Sequence, residues 1–211
     1  MQFTDVKSIL LPDGDVLRIY DSQYTLWQKQ NEDPYTELQY IQATGTQYIN
    51  TGISHTSGNI YQFNIDIDSI TVANTYLMWS NTAAVRINYA NNRYTFYAKY
   101  NGTSYNSSLS RPTFAQLTGS YTLNASRQLI VNGTTWVTAY NGSGTADAIK
   151  LFDEDVHGKI RSFSITRNNS TIMNLVPMLR NSDNVAGMYD TISDTFFASA
   201  GSSDFIAGPA V

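Results

Sequence analysis

The chain contains no cysteine, which removes disulfides, thiolate nucleophiles and cysteine-ligated metal sites and leaves the fold to apolar packing and backbone hydrogen bonding. Charge is scarce as well. Asp, Glu, Lys and Arg make up 14% of the residues, against about a quarter in an ordinary domain. With a net charge of −4 there is no basic excess to neutralise phosphates, so the electrostatic attraction that dominates nucleic-acid affinity is missing and no nucleic-acid partner is expected. No run approaches the ~20 apolar residues of a membrane-crossing helix, so membrane insertion is not expected. The opening MQFTDVKSILLPDGDV lacks the cationic start and apolar stretch of a signal peptide, so Sec export is not expected either.

What the chain does contain is 42% apolar residues, 15 tyrosines, and abundant Asn, Thr, Ser and Gln. Strong helix formers rarely cluster. Tyr, Thr, Ile, Val and Phe recur in short runs between Asn-, Gly- and Ser-rich breaks, which predicts an all-β protein. At 211 residues one principal domain with an appendage is expected.

Residues 1–30 form the appendage. VKSILL and VLRIY flank a Pro12-Asp13-Gly14 turn, where Pro presets φ and Gly accepts a positive φ. The reading is a β-hairpin module for attachment or oligomerisation, with Val6, Ile9, Ile19 and Trp27 as its docking residues, because an isolated hairpin is marginal. The polar Gln28–Pro34 stretch marks the boundary, and residues 31–211 form the main domain.

In the main domain IYQFNIDIDSI alternates, with Tyr61, Phe63, Ile65 and Ile67 on one face and Asn64, Asp66 and Asp68 on the other. TYLMWS is a further strand. Two-residue hairpin turns are predicted at Asn91-Asn92 and Asn132-Gly133, and another turn at 167–170, since Asn and Gly tolerate the left-handed conformation such turns require. AIKLF, KIRSFSIT and TIMNLVPM follow as strands, while 101–112 reads as a loop. About ten to a dozen strands at this spacing predict a two-sheet sandwich or barrel.

The order of motifs is distinctive: YIQATGTQYINTG at 40–52, NYANNRYTFY, LIVNG, GKIRSFSI, and a close of SDNVAGMYD, FF and GPA. Over Tyr35–Val211 this resembles the laminin G-like, concanavalin A-like jelly-roll domains of phage and prophage structural proteins. The leading VKSILLPDGDVLRIYDSQYTLW resembles short modules that precede such domains. The resemblance implies an antiparallel two-sheet β-sandwich without a catalytic set, carried on a virion as part of a tail fibre, tail tip or head fibre. It also implies adhesion to a host or mucosal glycan, other virion proteins as partners of the N-terminal module, and a homo-oligomer, a trimer by analogy with fibre proteins. A decoration protein that binds no sugar is the alternative, and a glycoside hydrolase the least favoured.

Aromatic residues are the candidates for sugar contact, since a ring offers an apolar face to a pyranose and a polar edge to its hydroxyls. Trp79, Tyr89, Tyr94, Tyr97, Tyr100 and Tyr105 cluster in the middle third, with Arg86 and Arg93 as donors and Trp136 and Tyr140 beyond; the ligand surface is expected between Trp79 and Tyr140. Asp66 and Asp68 share a strand face with Cα atoms about 6.5–7 Å apart, a spacing that permits acid/base work. FNIDIDSI nevertheless lacks the glutamates of the resembling hydrolases, so solvent-facing polar positions account for the pair. His55 and His157 stand in turns without a nucleophile motif and are expected to be exposed or capping. The acidic run at 153–155 makes Asp153 and Asp155 weak candidates for calcium, a cation suited to oxygen ligands; otherwise no cofactor is expected. The close, with Gly187, Gly201 and Gly208 at backbone approaches and Met188, Tyr189, Phe196, Phe197, Phe205 and Ile206 as packing residues, is expected to clasp the fold shut.

Overall fold

A computed structural model shows, among the described residues, β-strands and one short 3-10 turn at Phe114–Leu117. It describes residues 33–106, 112–139, 145–152 and 155–211, and the strands Lys7–Leu10, Val16–Asp21 and Tyr24–Gln28; for those three strands and Thr103–Asn106 the backbone alone is described. Two units separate, Met1–Pro34 and Tyr35–Val211.

In the first unit β1 (Lys7–Leu10), β2 (Val16–Asp21) and β3 (Tyr24–Gln28) form an antiparallel sheet in that order. The expected hairpin is thus extended by a third strand, with Ile19 opposite Trp27. Val6 and the Pro12-Asp13-Gly14 turn lie outside the described residues, as do the side chains of Ile9, Ile19 and Trp27.

The second unit is the predicted two-sheet antiparallel sandwich. The larger sheet runs β14 (Thr134–Thr138), β13 (Gln128–Val131), β12 (Gly119–Leu123), β7 (Asn59–Ser69), β16 (His157–Arg167), β17 (Ser170–Arg180), β18 (Val185–Asp190), β19 (Thr195–Phe197). Off this path, β5 (Ile41–Thr44) pairs with β16, β20 (Ile206–Ala207) with β5, and β4 (Tyr35–Glu37) with β17. The smaller sheet runs β11 (Thr103–Asn106), β10 (Arg93–Tyr100), β9 (Ala83–Ala90), β8 (Asn74–Trp79), β15 (Ala148–Leu151), β6 (Ile49–Ser54). Part of the expected loop at 101–112 is therefore strand β11, zipped to β10 through the Asn101-Gly102 turn, where both residues have positive φ.

The core forms where the alternating faces meet. Tyr61, Phe63, Ile65 and Ile67 are buried from β7, opposite Phe96 and Tyr100 of β10, Ile87 of β9 and Met78 of β8. Each such large apolar side chain contributes about 1.5–3 kcal/mol by leaving water. The hairpins close where the sequence places them: φ is 51° and 57° at Asn91-Asn92, 50° and 77° at Asn132-Gly133, and 51° and 61° at Asn168-Asn169. Paired positive φ values give a turn twist that matches that of the strands.

The chain's opening and closing segments interlock. β4 pairs with β17 and β20 with β5, and Gln39 N–H donates to the Pro209 carbonyl at 2.9 Å. Pro177, which has no N–H to donate, stands where β17 changes partner, between Leu175 paired to β16 and Met178 paired to β4; a proline is tolerated there because no ladder bond is lost. At Gly201 and Gly208 a side chain would collide with the Thr46 and Tyr40 carbonyls, and at Gly187 with Phe197. The expected clasp is thus built on backbone contact. Met188 and Phe205 are buried and Phe197 packs on the core, but Ile206 is exposed, on β20, a two-residue strand at the sheet's edge that pairs only with β5 among the described residues.

Candidate functional site: the outer face of the smaller sheet

Strand pairing arranges the outward side chains of the smaller sheet in rows. One row is Tyr76, Arg86, Tyr97, from β8, β9 and β10. The next is Lys150, Trp79, Ala84, Lys99, from β15, β8, β9 and β10. Trp79 shares a face with Tyr76, three residues away, because a bulge between Tyr76 and Met78 breaks the two-residue alternation.

The side chains in these rows touch. The Arg86 guanidinium lies 3.9 Å from the Tyr97 ring centre and 5.1 Å from that of Tyr76, and it donates to the Tyr76 hydroxyl at 2.7 Å. Tyr76 meets Trp79 edge to face at 4.6 Å. Lys99 Nζ stands 4.9 Å from the Trp79 ring and donates to the Asn81 carbonyl at 3.3 Å, and Lys150 Nζ stands 4.9 Å from the Tyr48 ring. Cation–ring contacts at exposed sites contribute about 0.5–1 kcal/mol each. Ala84 has no exposed surface, so its larger neighbours close over it. Arg86 Nε is enclosed and has no hydrogen-bond partner. The result is a half-buried aromatic floor studded with cations.

Of the residues expected to contact ligand, Trp79 and Arg86 come together here at partly exposed positions, whereas Tyr97, covered by the Arg86 guanidinium, is only 8% exposed and offers little ring surface, which corrects its expected role. Arg93 is exposed at the tip of the β9–β10 hairpin, and Tyr89 stacks on Tyr94 beside it at 4.8 Å. Tyr100 is a correction: it points between the sheets with 1% exposure, donating to the Asn59 carbonyl and accepting from Gly58 N–H. The β10 alternation that turns Tyr97 and Lys99 outward turns Phe96, Ala98 and Tyr100 inward. Trp136 packs edge-on against Phe96 at 5.2 Å as part of the core's margin, away from the rows above. The Tyr105 side chain and all of Tyr140 lie outside the described residues. Tyr76, Lys99 and Lys150 were missed. Tyr76 and Trp79 cannot share a face under strict alternation, and Lys150 comes from a strand distant in sequence.

The histidine expectation also needs correction. His55 is buried. Its Nδ1 lies 2.7 Å from the Tyr61 hydroxyl and its Nε2 2.7 Å from Asn101 Oδ1. Asn59 Nδ2 donates to Tyr61 at 3.0 Å and Arg167 Nε donates to Asn59 Oδ1 at 2.8 Å. Burial lowers the His55 pKa, the Asn101 bond opposes that, and Arg167 adds to it. The network ties β7 of one sheet to the β10–β11 turn of the other.

Asp66 and Asp68 are tied up in surface pairs. Asp66 accepts from Arg161 at 2.6 and 3.1 Å; Asp68 accepts from Gln42 at 2.8 Å and Lys159 at 3.3 Å. Both face outward on the larger sheet, as their alternation predicted. Asp155 donates its backbone N–H to the Gly45 carbonyl at 2.7 Å and lines an open hollow of about 470 Å³ with Thr46, Tyr48 and Gly201. Asp153 lies outside the described residues, among which no three His, Asp or Glu side chains gather as metal ligands.

The fold is shared with a solved structure of a candidate carbohydrate-binding protein from Bacteroides ovatus, at a TM-score of 0.55 and 13% identity, over 92% of this chain and 68% of that one. At that identity the likeness establishes the fold. No family model matches the chain, and no curated protein does.

Proposed function

We propose that the second unit is a non-catalytic carbohydrate-binding domain and that its ligand surface is the outer face of the smaller sheet. The observation that carries this reading is the placement of Tyr76 and Trp79 in adjoining outward rows with Arg86, Lys99 and Lys150 among them. Rings give stacking surface to the apolar faces of pyranoses, and ammonium and guanidinium groups give donors to their oxygens. The description of the Bacteroides ovatus structure as carbohydrate-binding agrees with it. The pairing of Asp66 and Asp68 with Arg161 and Lys159 supports the non-catalytic part, since neither carboxylate is placed as an unpaired acid or base.

The setting proposed is a phage particle, with the first unit attaching the domain to other virion proteins in a homo-oligomer; this rests on the sequence resemblance. Shallow single sites of this kind gain avidity from copy number. A glycan array probed with multivalent protein tests the reading: bound glycans are expected, lost on Trp79→Ala, with no sugar released from them on prolonged incubation. Equal binding by Trp79→Ala would move the site elsewhere, and no binding to any glycan would leave a purely structural role.

A further inference from the structure

The six strands of the smaller sheet carry no Asp or Glu at all, although the chain as a whole is acidic, at −4. They carry Arg86, Arg93, Lys99 and Lys150 instead. The ion pairs Lys159–Asp68, Arg161–Asp66 and Arg180–Asp183 fall on the larger sheet and its turns. Arg86, Lys99 and Lys150 make none among the described residues, and each leans on a ring. Asp147, just before β15, has one carboxylate oxygen occupied by the Asn81 N–H at 2.6 Å. The opposite face of the sandwich is chemically different: Gln62, Asn64, Ser120, Thr122, Ser164 and Asn174 line a shallow groove of about 250 Å³ without a charged group.

Building on the carbohydrate reading, we infer that the ligand is a carboxylate-bearing polysaccharide, with Lys99 and Lys150 as its charge-reading residues. Trp79 stands between the two lysines in one row. Their Cα atoms span three strand spacings, about 14 Å, room for a short run of sugar rings laid across the strands over the indole. An ammonium over a ring keeps N–H donors for an anion arriving from solvent, even on Lys99, one of whose donors goes to the Asn81 carbonyl, and a charge-assisted bond to a carboxylate is about twice as strong as a neutral one. A neutral sugar would use the rings and leave the excess positive charge unanswered. Because the lysines are on an open face, screening by salt acts on them directly.

The experiment is an affinity series on the full chain with polygalacturonate and alginate as acidic glycans, galactan and mannan as neutral ones, and poly-glutamate as a sugar-free polyanion. Acidic glycans are expected to bind at least about tenfold tighter than neutral ones, with the advantage shrinking between about 0.05 and 0.3 M NaCl. The K99Q/K150Q double variant should bring acidic glycans down to the neutral level, K99R/K150R should retain most of the preference, and Trp79→Ala should weaken both classes. Equal affinity for neutral and acidic glycans, or a preference that survives K99Q/K150Q, overturns the inference while leaving carbohydrate binding intact. Poly-glutamate binding as tightly as polygalacturonate would overturn both, and so would failure of every polysaccharide to bind.

Discussion

At the scale of single residues, His55 is a buried titratable group with a hydrogen-bond partner at each ring nitrogen. In its neutral form every polar atom of the chain of bonds is used in one direction: Arg167 donates to Asn59, Asn59 to Tyr61, Tyr61 to His55 Nδ1, and His55 Nε2–H to Asn101. Burial, opposed by the Asn101 hydrogen bond and reinforced by the charge of Arg167, holds the His55 pKa of the folded state below its usual value. The unfolded chain binds that proton near pH 6.5, so below about that pH it holds more protons than the folded chain and stability falls. The midpoint of thermal unfolding should therefore drop between pH 7 and pH 5. In His55→Asn the baseline stability should be lower and that share of the pH dependence gone; a pH slope identical to wild type would contradict the assignment. Nothing around His55 in the sequence announces this role, because Asn101, and Arg167 acting through Asn59, are brought to the site only by the closing of the sandwich.

At the scale of elements, short-range rules governed what could be read from the sequence. Each two-residue turn is written in the residues that form it, so Asn91-Asn92 and Asn132-Gly133 were legible. So was the alternation of β7, which buries Tyr61 through Ile67. The bulge at Tyr76–Met78 depends on neighbouring strands, and the Asn101-Gly102 turn that zips β11 onto β10, as local a signal as Asn132-Gly133, falls within the expected loop, so the composition of the binding face was only half visible. The closing segment shows how backbone approach sets energy. Gly201 abuts the Thr46 carbonyl so closely that Gly201→Ala must displace one segment or the other. A loss of about 1–3 kcal/mol, the usual cost of overpacking, is expected in urea unfolding. Removing everything after Asn181 deletes β18, β19 and β20 and uncovers Met173, Leu175 and Ile41. That truncated chain should show no cooperative unfolding transition by circular dichroism, and a full transition would refute the clasp.

At the scale of the whole molecule, low charge and many tyrosines do different work on the two faces. The larger sheet pairs Asp66 with Arg161 and Asp68 with Lys159 and presents amides and hydroxyls; the smaller one gathers rings and unopposed cations. Net charge alone excluded a basic partner surface, and that reasoning missed a local one, because a sum over the chain hides which strand carries which sign. The same unevenness makes the face testable apart from the fold: Trp79, Lys99 and Lys150 are half-exposed, so changing them should alter binding with little effect on unfolding, about 0.5–1 kcal/mol per lost cation–ring contact.

The central claim, that ligand lies on the outer face of the smaller sheet, is tested most directly by labelling the chain with 5-fluorotryptophan and following fluorine resonances during titration with a polysaccharide that binds. The resonance of Trp79 should shift progressively to saturation while that of Trp136, packed against Phe96 at the core's margin, stays in place. Saturable binding that leaves Trp79 unmoved would contradict the account.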